Sequence, residues 1–181
     1  MRAVALADLL HGVEVIGGSP LASETMVTGV TQHSALVKPG WMFCCRRGAR
    51  ADGHAHAAEA VRRGAAALLG EQMLPQHVPQ VVVRDIGKAI GQVAAAFWGH
   101  PSQRLRLIGV TGTNGKTTTT YLMRAILEHH GWPTGVIGTL SGPLTTPAPP
   151  ELHCKLAELV ERRYQAAAME VSSHGLTQHR V

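Results

Sequence analysis

A short glycine-containing segment carries residue types that bind phosphate. Residues 105–120 read L-R-L-I-G-V-T-G-T-N-G-K-T-T-T-T, so an apolar run gives way to Gly112 and Gly115 and then to Lys116. Glycines let a backbone approach a ligand closely, and amide groups at the start of a helix attract anions. A lysine at this position reaches the β- and γ-phosphates of a nucleotide, and the hydroxyl of Thr117 can complete a magnesium shell. The segment therefore predicts a phosphate-binding loop.

The spacing of this loop differs from the common nucleotide-binding pattern. That pattern has a glycine five positions before the Gly-Lys pair, and here the position is Val110. An ordinary glycine-rich turn between a strand and a helix would explain the glycines, but it would not explain Lys-Thr-Thr where the helix begins. A small phosphate-loop kinase is a further alternative, but such kinases keep the full spacing and add an arginine-bearing lid. We interpret residues 112–118 as a shortened phosphate loop.

One acidic residue ends a later apolar run. Residues 166–171 read A-A-A-M-E-V, which places Glu170 near the carboxyl end of a strand. In a parallel sheet, ligands bind at that end of the strands, so we expect Glu170 at the same edge as the phosphate loop. A carboxylate there can hold Mg²⁺ directly or through water, and a buried, neutral glutamate is the alternative. The polar residues that follow suit an anionic substrate: Ser172, Ser173, His174, Gln178 and Arg180.

The elements around the loop alternate between strands and helices. We predict a helix over residues 116–130 ended by Gly131, a strand over 134–140, a proline-rich loop ending near Pro150, a helix over 151–163 and a strand over 166–171. Such alternation predicts an α/β fold with a parallel sheet.

The first hundred residues predict a separate small α/β domain. Its predicted strands cover residues 27–31, 41–45, 65–69 and 81–83, and its helices lie near residues 6–10, 57–61 and 86–98. Gly99-His100-Pro101-Ser102 is the predicted boundary, which gives domains of 1–100 and 101–181. Arg46, Arg47 and Arg50 could meet a diphosphate or form a solvated charged loop, and composition does not distinguish these.

Composition excludes several classes of protein. The 181 residues are 45% hydrophobic and carry a net charge of +5, without a basic run that would indicate nucleic-acid binding. Three cysteines form no disulfide framework, and the eleven histidines show no zinc-site spacing. No apolar run approaches the ~20 residues of a membrane span. We expect a soluble, cytoplasmic protein, and the oligomeric state is not readable from the sequence.

Three motifs in order resemble the Mur ligases of peptidoglycan synthesis. They are G-T-N-G-K-T-T, then T-T-P, then E-V-S-S-H-G-L-T-Q-H-R-V. The related folylpolyglutamate synthetases share the glycine loop, but the last motif is more selective. In the first half, V-T-G-V-T-Q-H-S-A-L-V-K-P-G-W-M-F and A-D-G-H resemble the UDP-binding domain of the same family. The resemblance implies a UDP-sugar-binding domain followed by the first part of a phosphate-loop, parallel-sheet central domain.

The resemblance also implies an activity. Such ligases use ATP to phosphorylate a D-glutamate carboxylate and then couple the acyl phosphate to an amine. Within the family, the sequence most resembles the ligases that add a diamino acid to UDP-N-acetylmuramoyl-L-Ala-D-Glu, which implies ATP and Mg²⁺ as cofactors. The resemblance implies that Lys116, Thr117 and Glu170 are catalytic and that Thr117 and Glu170 serve Mg²⁺. The implied ATP-binding residues are Gly112, Thr113, Asn114, Gly115, Lys116, Thr117 and Thr118. The implied substrate-binding residues are Gln32, Ser34, Ala49, Arg50, Ala51, Thr145, Thr146, Ser172, Gln178 and Arg180.

The chain departs from the family pattern at two places. The family usually has Asp-Ser-Arg where this chain has His33-Ser34-Ala35, so an acid and an arginine near the uridine pocket are missing. The sequence given also ends at Val181, before the region where the family has a carbamylated lysine and an amino-acid-selecting domain. We therefore expect an N-terminal part of a ligase that is incomplete for turnover. A module that binds nucleotide and UDP-sugar without turnover is the alternative.

Overall fold

The computed structural model describes residues 2–19, 24–48 and 51–181 of the chain. These residues divide into two units, residues 1–97 and residues 98–181. No helix in the described part of the chain combines the length and the apolar character that crossing a membrane requires.

The first unit contains seven strands and three helices among its described residues. Along the chain they are β1 (Val4–Ala5), α1 (Leu6–Leu9), β2 (Val15–Gly18), β3 (Met26–Val27), β4 (Gly29–Thr31), β5 (Trp41–Cys44), α2 (Ala57–Arg62), β6 (Ala67–Gly70), β7 (Gln80–Val83) and α3 (Ile86–Phe97). Strands β1 and β3 form an antiparallel pair, and the other five form a sheet in the order β2-β7-β6-β5-β4. Only β2 runs antiparallel in that sheet.

The four parallel strands of this sheet, β4 to β7, are largely buried because they are almost wholly apolar. Every residue of β6 and β7 is buried, as is usual for parallel strands covered on both faces. Helix α3 presents Ile90, Val93 and Phe97 to the interior at helical spacing. A further cluster joins Phe43 and Leu68 to small residues of α2. The parallel order brings the carboxyl ends of β4, β5 and β6 to one edge.

The second unit is a three-stranded parallel sheet with helices between its strands. Along the chain it has β8 (Arg106–Val110), α4 (Lys116–His129), β9 (Thr134–Ile137), α5 (Pro149–Glu161), β10 (Ala166–Glu170) and α6 (Ser173–Thr177). The strand order is β8-β10-β9, so the last strand lies between the other two. In register, Glu170 lies beside Val110 on one side, and Met169 lies beside Ile137 on the other. All three strands therefore end at one edge of the sheet. The α/β prediction with a parallel sheet is confirmed.

Several predicted boundaries were wrong, for identifiable reasons. Pro149 and Pro150 begin helix α5 and do not end a loop, because proline is well tolerated in the first turn of a helix. The strand predicted over residues 27–31 is two strands that belong to different sheets. The strand predicted over 134–140 ends at Ile137, and a 3-10 turn follows over Thr139–Ser141. Strand β2 was not predicted because its Val-Ile-Gly-Gly sequence is short and all four residues are exposed.

Candidate nucleotide-binding site

The loop between β8 and α4 has the backbone that a close approach to phosphate requires. Strand β8 ends at Val110, residues 111–115 form the turn, and α4 begins at Lys116. Gly115 has φ +80°, a left-handed conformation that L side chains rarely adopt, and Gly112 has φ +146°. These two positions explain why the turn contains glycine: a side chain at either would strain the backbone.

The start of helix α4 provides unpaired donors and positive potential. The first N–H groups of a helix have no acceptor within the helix, and the aligned peptide dipoles add partial positive charge there. The first turn of α4 contains no acidic side chain that would neutralise this charge. An anion at the loop would therefore meet backbone N–H groups directly.

The side chain of Lys116 lies on its own loop. Its Nζ donates to the carbonyl oxygens of Gly112 at 2.7 Å and Thr113 at 3.3 Å, and both bonds are exposed. An anionic oxygen is a stronger acceptor for an ammonium group than a carbonyl is. A bound phosphate would therefore compete with these two carbonyls for Lys116.

Glu170 is the acid that the strand register brings to this loop. The residue is 2% exposed. Its Oε1 accepts hydrogen bonds from the hydroxyl of Thr117 at 2.9 Å and from the backbone N–H of Thr139 at 3.0 Å. Its Oε2 accepts from the hydroxyl of Thr139 at 3.2 Å. Glu170 thus faces the phosphate loop and is not directed into an apolar core.

A polar cavity of about 350 Å³ lies over the loop and the carboxyl end of β10. Its lining residues are Thr113, Asn114, Gly115, Lys116, Thr117, Thr118, Thr139, Thr145 and Glu170. Hydroxyl and carboxylate oxygens are among the ligands that Mg²⁺ takes in proteins. The ammonium group of Lys116 and the start of helix α4 supply the positive charge that attracts phosphate. The donor set therefore fits a magnesium-bound phosphate group, and Thr117 and Glu170 are the residues that would hold the metal.

Of the five residues predicted to hold the muramoyl-dipeptide, four are joined by hydrogen bonds: Thr146, Ser172, Gln178 and Arg180. Arg180 donates from Nη1 to the carbonyl oxygen of Thr146 at 2.7 Å and from Nη2 to Oε1 of Gln178 at 2.7 Å. The Ser172 hydroxyl accepts from the N–H of Gly175 and so caps α6. The side chain of Thr145 approaches the hydroxyl of Thr139 at 3.1 Å. Contact of these residues with a substrate stays a prediction.

The hydroxyl of Thr146 is used inside the protein. Thr146 is fully buried, and its Oγ1 lies 3.0 Å from the carbonyl oxygen of Glu170, to which it donates. The Oγ1 atom of Thr146 also accepts a hydrogen bond from the backbone N–H of Ser172 at 2.9 Å. Thr146 therefore holds the chain together where β10 leaves the sheet, next to Glu170.

Sequence reasoning missed Gly138 and Thr139. They follow β9, whose end lies at the same sheet edge as the loop because β9 pairs with β10. The signal was present, since a Gly-Thr pair close to the end of a strand also occurs at Gly112-Thr113, one residue after β8. The sequence did not indicate that this second pair would meet Glu170.

In the first unit, the predicted UDP-sugar residues follow neighbouring strands. Gln32 and Ser34 follow β4, and Ala51 lies in the loop that follows β5, while Ala49 and Arg50 lie outside the described residues. The hydroxyl of Ser34 donates to Oε2 of Glu59 at 2.8 Å. The Oε1 atom of Gln32 is buried and has no hydrogen-bond partner within the described part of the chain.

Asp52 fixes the loop that carries Ala51. Its Oδ1 accepts from the backbone N–H of His54 at 2.9 Å and approaches the ring Nδ1 of His54 at 2.7 Å. The backbone hydrogen bond from His54, then the ring contact, hold the pKa of Asp52 below its usual value. Arg47 pairs with the other carboxylate oxygen at 3.2 Å, so this arginine interacts within its own loop.

The fold and the site define an α/β protein with a glycine-containing loop and an acid at one edge of a parallel sheet. Two family models match the chain: the Mur ligase middle domain over residues 110–181, and the Mur ligase family catalytic domain over residues 26–98. The chain belongs to the Mur ligase family.

Relatives in the family are similar over nearly the whole chain. The UDP-N-acetylmuramoyl-L-alanyl-D-glutamate--2,6-diaminopimelate ligase of Listeria monocytogenes serotype 4b is 39% identical over 97% of this chain and 38% of its own length. The enzyme of the same name from Geobacillus kaustophilus is 43% identical over 100% of this chain and 38% of its own length. The chain thus spans about 38% of the length of these curated relatives.

Solved structures have the same fold. A structure of a UDP-N-acetylmuramoyl-L-alanyl-D-glutamate--2,6-diaminopimelate ligase matches 99% of this chain and 38% of its own, with a TM-score of 0.79 at 25% identity. A MurF ligase from Thermotoga maritima, solved in complex with ADP, matches 80% of this chain and 32% of its own, with a TM-score of 0.57 at 23% identity.

Proposed function

We propose that residues 112–118 and Glu170 bind a magnesium nucleotide. The observation that carries this proposal is the 2.9 Å hydrogen bond between the Thr117 hydroxyl and Glu170, which joins the helix start to the neighbouring strand. It brings two oxygen ligands together beside the lysine and the free N–H groups of the loop. The complex of a family member with ADP supports a nucleotide as the ligand.

We propose further that the whole protein is an ATP-dependent, cytoplasmic ligase of peptidoglycan synthesis. It would add a diamino acid to UDP-N-acetylmuramoyl-L-Ala-D-Glu, the reaction for which the diaminopimelate-ligase relatives are named. The D-glutamate carboxylate would attack the γ-phosphoryl group to give an acyl phosphate and ADP. The amine of the diamino acid would then displace phosphate and form the amide.

The residues of this chain have definable parts in that reaction. Lys116 would leave the Gly112 and Thr113 carbonyls and follow the charge on the transferring phosphoryl group. Magnesium, when bound, supplies positive charge that stabilises the phosphoryl oxygens. Thr117 and Glu170 would hold that cation, and the N–H groups of the loop would fix the phosphates so that attack is in line.

Binding of the second substrate is proposed for two sets of residues. In the first unit, Gln32, Ser34 and the loop around Ala51 would contact the UDP-sugar. In the second unit, the acidic dipeptide would meet Thr145, Ser172, Gln178 and Arg180, and the buried Thr146 would support Ser172 and Glu170 from behind. The guanidinium group of Arg180 is half-buried and already positioned by Gln178 and Thr146, so little further ordering is needed to bind a carboxylate.

Calorimetry with ADP and Mg²⁺ tests the nucleotide site. The Lys116→Ala variant removes one charge that would contact phosphate, and such charge-assisted bonds contribute about 2–3 kcal/mol. We therefore expect affinity to fall about 30- to 150-fold. Lys88→Ala is the matched control, because Lys88 is an exposed lysine on α3 whose Nζ lies 3.7 Å from Asp85. Equal affinity of Lys116→Ala and the parent, or no binding by the parent, would refute the proposal.

Titration with UDP-N-acetylmuramoyl-L-Ala-D-Glu tests the second substrate. We expect binding that Arg180→Ala weakens at least 10-fold when the dipeptide is present. The same variant should bind UDP alone as the parent does. A parent chain that does not distinguish the dipeptide form from UDP would contradict the assignment of residues 145–180.

A further inference from the structure

We propose that Thr139 is a positioning residue that fixes the carboxylate of Glu170 for a divalent cation. The inference rests on the proposed nucleotide site, because it concerns the acid that would serve the metal there. Thr139 supplies two of the three donors that reach this carboxylate, one from the backbone and one from the side chain. No motif in the sequence indicated this residue.

The hydrogen bonds distinguish the two oxygens of Glu170. A carboxylate oxygen has two lone pairs, and both of those on Oε1 are taken, by the Thr117 hydroxyl and the Thr139 N–H. Oε2 accepts one bond, from the Thr139 hydroxyl. Among the residues that the structure describes, no second donor reaches Oε2, so one of its lone pairs stays available. Because Thr139 binds both oxygens, it sets the rotation of the carboxylate and so the direction of that lone pair.

Gly138 lets the carboxylate lie where Thr139 can reach it. A Cβ at position 138 would lie 2.7 Å from Cδ of Glu170 and would overlap the carboxylate itself. The side chain of Glu170 therefore rests on the bare Cα of Gly138, which limits its movement on that side. Only glycine at this position permits the approach, and its backbone is otherwise extended.

The turn that carries Thr139 is itself held from both sides. The hydroxyl of Ser141 accepts from the N–H of Gly138 and donates to its carbonyl, both at 2.8 Å. Lys155 on α5 donates to the carbonyl of Ser141 at 2.9 Å. These bonds fix the direction of the Thr139 N–H, so the residue acts as a rigid support for Glu170.

Thr139 also links Glu170 to Thr145, one of the predicted substrate residues. The Thr139 hydroxyl has one proton and donates it to Glu170, so in its 3.1 Å contact with Thr145 it accepts. Thr145 therefore donates to Thr139, which donates to Glu170. The side chain of Thr139 thus joins the loop proposed to meet the dipeptide to the carboxylate of the proposed metal ligand.

Substitution at position 139 separates positioning from folding. Thr139→Val keeps the backbone N–H and the shape but removes the hydroxyl, whereas Thr139→Ser keeps the hydroxyl. Residues that orient a metal ligand typically change metal affinity 10- to 100-fold. The quantity to compare is the factor by which Mg²⁺ raises the affinity for ADP. We expect this factor to be at least 10-fold smaller in Thr139→Val than in the parent. In Thr139→Ser it should lie within about threefold of the parent value. ADP affinity without metal should be the same in all three proteins.

A control and a second readout keep the outcomes distinct. Thr134→Val makes the same chemical change at the other end of β9, where the hydroxyl bonds to the Trp132 carbonyl, and it should keep the full effect of Mg²⁺. If Thr139→Val also keeps it, the proposal is wrong. If the parent binds no ADP, the nucleotide proposal fails, and Mn²⁺ binding followed by electron paramagnetic resonance then tests Thr139. Weaker Mn²⁺ binding by Thr139→Val than by Thr139→Ser supports the role, and equal binding overturns it.

Discussion

Replacing Thr146 by valine removes one buried hydroxyl from the junction between β10 and α6. The change keeps the shape of the side chain but leaves the N–H of Ser172 without its acceptor and the carbonyl of Glu170 without its Thr146 donor. Thr146 is fully buried, so water cannot replace the lost partner. We therefore expect the substitution to lower the stability of the folded protein as well as any ligand binding beside Glu170.

The size of this effect follows from the two backbone groups that lose a partner, the N–H of Ser172 and the carbonyl of Glu170. A buried donor or acceptor left unsatisfied costs about 1–3 kcal/mol, and the carbonyl loses less because it has two lone pairs. We expect Thr146→Val to lower the free energy of unfolding by about 2–3 kcal/mol. For a unit of this size that corresponds to a fall in Tm of about 10–20 °C. Thr145→Val, at the neighbouring and only partly buried position, should cost under about 1 kcal/mol.

Thermal unfolding followed by circular dichroism measures both variants, and urea titration gives the free energies directly. Thr146→Ser is the control that keeps the hydroxyl and should recover most of the lost stability. The reasoning is refuted if Thr146→Val unfolds within about 0.5 kcal/mol of the parent. It is also refuted if the Thr145 and Thr146 variants are destabilised equally, because the structure separates two adjacent residues that the sequence treats alike.

Two further predictions concern titrating groups. Burial, followed by the charge of His100, lowers the pKa of His153 from 6.5 to about 4, so the unfolded chain takes up a proton at this residue before the folded chain does. Its contribution to stability is complete above pH 6.5 and falls as the pH drops towards 4, by up to about 3 kcal/mol. Urea titrations at several pH values give the free energy of unfolding as a function of pH. Between pH 6.5 and 4 this free energy should fall less steeply in His153→Leu than in the parent, and an equal slope would contradict the prediction. Burial also raises the pKa of Cys45 to about 12 and that of Cys154 to about 11. A thiol reagent at pH 8 should therefore label the folded protein far more slowly than the urea-unfolded protein, and fast labelling of either cysteine in the folded state would contradict this prediction.

The sequence was sufficient for the elements that directly depend on periodicity and turn residues. The alternation of apolar runs with helical patterns predicted the parallel sheet, and Gly115-Lys116 marked the start of α4 within one residue. Glu170 was placed at the loop by one argument, that strands of a parallel sheet end at the same edge. The geometry agrees, since Glu170 accepts from Thr117.

The parts that were missed depend on which strands are neighbours. Strand β10 is last in sequence but central in the sheet, so Glu170 also meets residues that follow β9. Nothing in local sequence discloses that order, and Thr139 therefore looked like any strand-end threonine. Thr146 was grouped with Thr145 because a motif records residue types and not burial. The sequence also did not indicate that the hydroxyl of Ser34 would donate to Glu59.

Strand β8 has a single partner, β10, in the part of the chain that the structure describes. Its outer side presents backbone donors and acceptors along residues 106–110, and Leu107 beside them is 39% exposed. Helix α4, which packs mainly on β10 and β9 of the same sheet, leaves Leu122 and Ile126 each 59% exposed. Such an unpaired strand edge can bind an extended peptide from another molecule through backbone hydrogen bonds. Concentrated preparations of these 181 residues will consequently tend to associate through this strand, and dilution will favour single molecules.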